Sequence, residues 1–286
     1  MAVVNTNANA SIAQNALARN ERAMNTAMER LSTGQRINSA SDDAAGLAIG
    51  SRMTSQIRGL ETGIRNANDA ISMISTADGA LIEVTNMLQR MRELALQASN
   101  GTTTSADRAY LSSEYANLLS EIDRIAENTQ WNGKTILNHT STASSTFAYQ
   151  VGANGGQTIA VDFGNMTDTV SGVFTELKAS HSVITSTTTA SAITQGTSAV
   201  VAVDAAITAV NSQRATFGAA MNQLTYAVDN LSNVKVNAEA SRSRIMDADY
   251  AVETSELART QIISQAGTAM LAQANQLPQT VLSLLQ

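Results

Sequence analysis

The chain has 286 residues, 43% hydrophobic but only 3% aromatic, with a formal net charge of −6. That is enough for one or two domains with a core of Ala, Leu, Ile, Val and Met. The acidic balance excludes the basic footprint that nucleic acid needs and gives no support to an anionic membrane surface as partner. With no cysteine, disulfides and thiolate metal sites are excluded. One proline, Pro278, leaves long helices uninterrupted. No apolar run approaches a membrane span, and MAVVNTNANA lacks the charged and apolar regions of a cleavable signal. The chain is therefore expected to be cytosolic, or to leave the cell by a route without a cleaved signal.

Residues 1–31 carry a sparse helical pattern. Ala10, Leu17, Met24 and Leu31 fall seven apart, with Ala13, Ala27 and Met28 beside them. So weakly apolar a helix cannot by itself offset an ordering cost of about 1–2 kcal/mol per residue, and it needs a partner. Gly34 and the run Asn38-Ser39-Ala40-Ser41-Asp42-Asp43 interrupt the pattern, and Ser41 or Asp42 is expected to cap the next helix.

From residue 44 to 98 the pattern is dense. Met53, Leu60, Ala67, Ile74, Leu81, Leu88 and Ala95 form an unbroken column seven apart. A companion column of Ile57, Ile64 and Ile71 breaks at Asp78-Gly79 and resumes as Val84, Met91 and Ala98. A third, Met73, Ala80, Met87 and Leu94, widens the face enough to meet two neighbours. One helix over this stretch is about 80 Å long.

Asn100-Gly101 is expected to end that helix and Ser105 to cap the next, where Leu111, Tyr115, Leu118, Ile122 and Ile125 step by four and three. Trp131-Asn132-Gly133 breaks it. Phe147, Tyr149 and Val151, then Ile159, Val161 and Phe163, alternate around Ala153-Asn154-Gly155-Gly156, which predicts a β-hairpin with one packed face. Residues 180–199 are mostly Ser and Thr and read as a surface loop. The helical pattern returns with Val203, Ile207, Val210, Phe217, Met221, Leu224, Val228 and Leu231, interrupted only by Arg214. The last 40 residues mirror the first: Ile263, Met270, Leu277 and Leu284 lie seven apart in a Gln- and Ala-rich background.

The expected fold is mainly α: a rod of long antiparallel helices with a small β-hairpin region, residues 44–245, including the 180–199 loop. A terminal coiled-coil domain, residues 1–43 with 246–286, pairs Leu17, Met24 and Leu31 against Ile263, Met270, Leu277 and Leu284.

Catalysis has no foothold. His139 and His181 form no HExxH pattern and read as surface residues. Asp42-Asp43 suits a helix N-terminus better than a paired-carboxylate site. Gly34, Gly46, Gly50, Gly59 and Gly63 follow no strand and suit close packing better than phosphate binding. No catalytic, metal or cofactor residue is assigned, and a hydrolase would need a nucleophile–base or metal set between residues 135 and 200 that is not visible.

Residues 31–98, LSTGQRINSASDDAAGLAIGSRMTSQIRGLETGIRNANDAISMISTADGALIEVTNMLQRMRELALQA, resemble the N-terminal region of bacterial flagellin. SRSRIMDADYAVETSELARTQIISQAGTAMLAQANQLPQTVLSLLQ is similar to the flagellin C-terminus. The resemblance implies a structural subunit that self-assembles into the extracellular flagellar filament, exported unfolded by the flagellar type III route, with other copies of itself, the cap, junction proteins and an export chaperone as partners. It implies a short form without large outer domains. A flagellin-like hook–filament junction protein is the alternative. The resemblance also gives QRMRELALQ a role: Gln89, Arg90, Arg92, Glu93 and Leu94, with Glu114 of the neighbouring helix, would form an inter-subunit surface that the flagellin-sensing Toll-like receptor binds on the soluble subunit.

Overall fold

The structure, a computed structural model, describes residues 7–138, 145–166, 177 and 189–283. His139 and His181 lie outside them. The helices are α1 (Ala8–Thr33), α2 (Ala44–Ala98), α3 (Ser105–Asn128), α4 (Thr189–Met246) and α5 (Tyr250–Ser283). Four short strands, β1 (Gln130–Trp131), β2 (Lys134–Thr135), β3 (Thr146–Gln150) and β4 (Thr158–Asp162), form two antiparallel hairpins. The chain divides into two compact units, Met1–Ile57 with Val236–Gln286, and Arg58–Lys235. These boundaries fall inside α2 and α4, whereas the sequence placed them at the helix ends, 43/44 and 245/246.

In the central unit the columns of α2 are the core. Leu60, Ala67, Ile74, Leu81, Leu88 and Ala95 are all buried, and so are Val84, Met91 and Ala98 of the resumed companion column. They meet Tyr115, Leu119 and Ile122 of α3 and Val203, Val210, Phe217 and Leu224 of α4. The two interruptions in the pattern answer each other. Arg214, the polar break in α4, donates from Nε to Oδ1 of Asp78, the polar break in α2, at 2.8 Å. Both side chains are mostly covered, so this pair keeps two otherwise repetitive helices in register.

The large hairpin pairs Phe147 with Val161 and Tyr149 with Ile159, and its apolar face packs on the core as expected. Phe163 stacks edge-on to Phe147 (centroids 5.3 Å apart) and tilted to Phe217 (5.0 Å), so three aromatic rings fasten the hairpin to α4. Tyr149 donates to Met73 Sδ at 3.0 Å, and burial pushes its hydroxyl up to about 12. The hairpin loop sits directly on α2: a Cβ on Gly63 would lie 2.5 Å from the Val151 carbonyl oxygen. Close backbone approach is thus the reason for glycine here.

Local details depart from the sequence reading. Asp43, not Ser41 or Asp42, caps α2, its Oδ1 accepting from Gly46 N–H at 2.9 Å. Asp42 instead closes the preceding turn, accepting from the N–H groups of Asn38 and Ser39 at 3.1 and 2.9 Å. These bonds hold its carboxyl below the usual carboxylate range, that from Ser39 first. α3 is capped by Thr104 rather than Ser105, in a reciprocal capping box with Asp107. The first hairpin, β1–β2, turns through Asn132 (φ 50°) and Gly133 (φ 78°), a two-residue turn with both centres left-handed. The expected loop 180–199 is helical from Thr189 onward. Ser and Thr cost an exposed helix only about 0.5 kcal/mol each relative to Ala, and burial of Ala199, Ala202 and Val203 outweighs that.

In the terminal unit, α1 and α5 run antiparallel. α1 ends at Gly34 (φ 69°), whose N–H returns to the Arg30 carbonyl. The two connecting segments then clasp: Arg36 N–H donates to Met246 O at 2.7 Å, and Ala248 N–H donates to Gly34 O at 3.0 Å.

Candidate functional site

Two surfaces, one in each unit, carry the residues singled out by the sequence. On α1 of the terminal pair, the expected column faces its partner: Ala10 is buried and Leu17, Met24 and Leu31 are half-buried. A second column, Ala13, Asn20 and Ala27, completes the alternating three-four seam. Asn20 is its polar member. It is 8% exposed and donates from Nδ2 to the Thr260 carbonyl at 2.7 Å. Asn7 donates likewise to Ala274 O at 2.9 Å, and Arg30 Nη1 meets Glu253 Oε1 at 3.0 Å.

On α5 the expected column is rotated out of the seam. Glu253, Thr260 and Ala274 are buried and Gly267 is half-buried, which makes small and polar residues the contact line. Leu17 Cδ1 lies 3.4 Å from where a Gly267 Cβ would be. Ile263 and Met270 are 44% and 67% exposed. The contact line keeps the period of seven but lies three residues before the expected column, because α1 approaches the side of α5 with the smallest side chains. Leu277's side chain and Leu284 lie outside the described residues. Ile263 and Met270 instead form one wall of an open apolar groove of about 490 Å³, with Ile12, Ala16 and Leu17 on the other. Val252, 61% exposed, continues their line eleven residues before Ile263.

The second surface lies where α2, α3 and α4 of the central unit run together. Gln89, Arg90 and Glu93 are exposed and Arg92 partly so. Arg90 reaches α3, its Nε donating to Glu114 Oε1 at 2.9 Å and its Nη1 to Glu93 Oε2 at 2.9 Å. Arg92 reaches the other way, its Nε donating to Asp204 Oδ1 of α4 at 2.6 Å. Hydrogen bonds to Glu114 and then Glu93 raise the Arg90 pKa, and those to Asp204 raise that of Arg92. Such exposed pairs add little stability in water but fix where the guanidinium groups point. Leu94 does not belong to this surface. It is 1% exposed, because its place in the third column of α2 turns it into the core. The exposed apolar residue here is Leu96, at 47%. Asp204 had no signal in the sequence, since its role depends on how α4 lies against α2.

Among the described residues no cluster of His, Cys, Asp or Glu could hold a metal ion, and no helix is long and apolar enough to cross a membrane.

Residues 4–142 match the bacterial flagellin N-terminal helical region, and residues 200–285 match the C-terminal helical region. A flagellin of Halalkalibacterium halodurans is 47% identical over 260 residues, covering 91% of each chain. Flagellin A of Vibrio cholerae is 36% identical, and the match covers 99% of each chain. The solved structure of a candidate flagellar hook-associated protein from Vibrio parahaemolyticus shares the fold, with a TM-score of 0.57, 17% identity and coverage of 72% of this chain and 100% of that one. Paired helical ends, a long-helix core and family matches at both ends converge: the chain belongs to the bacterial flagellins, structural subunits of the extracellular flagellar filament.

Proposed function

We propose that the chain polymerises through the line of α5 that α1 leaves uncovered. One observation carries this reading: Val252, Ile263 and Met270, all exposed, share one helical line beside an open apolar groove. The seven-residue step from Ile263 to Met270 suits another helix, and an open apolar groove of this kind marks an interaction site. The partner is a second copy, as befits a filament subunit. Replacing Ile263 and Met270 together by Ser should abolish filament growth while the thermal unfolding of the central unit stays unchanged. Normal filaments from that variant would overturn the reading.

Export without a cleaved signal, unfolded, through the flagellar type III route belongs to the same proposal, with an export chaperone, the cap and junction proteins as further partners. The shallow seam of the terminal pair supports it, since the two ends of the chain have little packing to lose before passage. The absence of secreted chain from cells lacking that export apparatus, with secretion intact in the parent, checks it.

The second surface is proposed as the docking site of the flagellin-sensing Toll-like receptor. Gln89, Arg90, Arg92, Glu93 and Glu114 make the contacts, and Leu94 supports them from beneath. A central arginine with ordered partners and exposed carboxylates around it has the character of an interface hot spot. Arg90→Ala should weaken signalling by soluble subunits by about tenfold or more. Assembled filaments should signal poorly, because the same surface lies between subunits there. Equal potency of the wild-type and Arg90→Ala subunits would refute the assignment.

A further inference from the structure

The exposed line of α5 includes a chemically reactive member. Most described methionines are partly or wholly covered: Met73 is 5% exposed, Met91 0% and Met166 4%. Met28 and Met270 stand out at 48% and 67%. Met270 forms part of the wall of the apolar cleft between α1 and α5. We infer that Met270 is an oxidation site, and that its sulfoxide blocks addition of the chain to a filament. This rests on the proposal that the α5 line is the joint between copies.

The chemistry needs a peroxide and nothing else. The Sδ lone pair attacks one oxygen of hydrogen peroxide, the O–O bond breaks, and a sulfoxide and water are left. The sulfur is oxidised by two electrons and the peroxide reduced by two. The reaction turns a flexible apolar side chain into a polar, chiral one. On the open subunit that oxygen is solvated, and the amides of Asn9 and Gln273 at the groove rim can donate to it. Against a second copy it would be shut off from water beside the apolar Ile263, and an acceptor that loses its solvation on burial is penalised. Oxidation thus favours the free subunit over the joined one, which is what shifts an equilibrium. Once joined, the same sulfur is covered and protected. The site therefore senses oxidant only between export and addition.

The test treats soluble full-length chain with limiting hydrogen peroxide and maps the sulfoxides by peptide mass. Met270 should oxidise well before Met91, and the treated chain should extend filament seeds about tenfold more slowly, with methionine sulfoxide reductase restoring the rate. Met270→Leu keeps the apolar line without the sulfur, so after the same treatment it should extend seeds like untreated chain. Oxidation of Met270 no faster than Met91, or equal impairment of treated Met270→Leu, overturns the inference. Untreated Met270→Ser separates the two claims. If it extends seeds normally, the line is not the joint and both claims fall. If it fails while oxidised wild type extends normally, the joint stands and the oxidation switch falls.

Discussion

The central unit and the terminal unit use the same device, a helical face with residues three and four apart, and obtain different results from it. In the central unit the columns carry Leu, Ile, Met and Phe and meet two neighbouring helices, so Leu81, Leu88, Met91 and Phe217 are fully buried. Among the described residues, the buried apolar side chains of α1 and α5 are Ala10, Ala27 and Ala274, alongside the polar Asn20, Glu253 and Thr260. A buried Leu or Ile is worth about 1.5–3 kcal/mol, whereas ordering each residue costs about 1–2 kcal/mol. An alanine seam on its own barely offsets that cost. Periodicity sets where helices touch, and side-chain volume sets whether the contact holds without help. In the assembly proposed above, neighbouring copies complete the terminal pair.

Deleting residues 257–286 tests that contrast most severely. The central unit should keep a cooperative melt and unchanged helicity per remaining residue, and filament growth should vanish. Filaments from the truncated chain, seen by electron microscopy, would mean that the central unit carries assembly. Protease-resistant termini in the free full-length subunit would mean that the seam needs no neighbours.

Single truncations should show the same asymmetry on a smaller scale. Phe217→Ala removes the ring that joins the hairpin to α4 and should cost about 3–5 kcal/mol in denaturant unfolding. Met24→Ala, in a half-buried seam position, should cost about 1 kcal/mol or less. Comparable losses at the two positions would erase the distinction between the units.

A glycine pair sharpens the comparison further. Gly63 faces backbone, with the Val151 oxygen 2.5 Å from an added Cβ, so Gly63→Ala must displace the hairpin loop and should cost about 1–3 kcal/mol. Gly267 faces only the end of Leu17 at 3.4 Å. Gly267→Ala should therefore be neutral or stabilising, by up to about 1 kcal/mol from helix propensity. Reversed signs in thermal unfolding would mean that the terminal seam is the tighter of the two.

What could be read in the sequence follows the same division. The course of α2 over Ala44–Ala98 was legible because three columns agree through many turns, and volume and period point the same way. The hairpin was legible from strict alternation across Phe147–Phe163. Around Asp78 and Arg214 each break could be seen, but not that one answers the other, since that depends on the relative shift of two helices. α5 misled because its bulky residues and its contact line are different stripes, and the Leu94 assignment erred by ignoring the column that the residue belongs to. Asn132-Gly133 did carry a hairpin signal of its own, obscured by the shortness of the strands around it.

The smallest expected effect concerns two aspartates, one in each unit. Asp107 accepts from the Thr104 hydroxyl and N–H in the capping box of α3. Asp42 accepts from Ser39 and Asn38 in the turn before α2. These hydrogen bonds hold both carboxyls below their ordinary value, the Thr104 side chain being the larger cause for Asp107 and the Ser39 backbone for Asp42. A depressed folded-state pKa contributes stability that is present above the unfolded value, about 3.9, and is lost as pH falls through the folded one. Asp107→Asn should speed amide exchange at Thr104 at neutral pH, and Asp42→Asn should do so at Ser39. In each case the difference from wild type should close only as the pH falls through the lowered folded-state pKa and the carboxyl itself is protonated. Both groups are open to solvent, yet hydrogen bonds rather than distant charge cause the shifts, so added salt should leave both differences in place. The units should part company in background exchange: Thr104 reports a local opening of a well-packed bundle, and Ser39 an opening that the thin terminal seam does little to oppose. A difference at Ser39 that persisted after the Asp42 carboxyl is protonated would show that the carboxamide disturbs the turn by its shape and not by its charge.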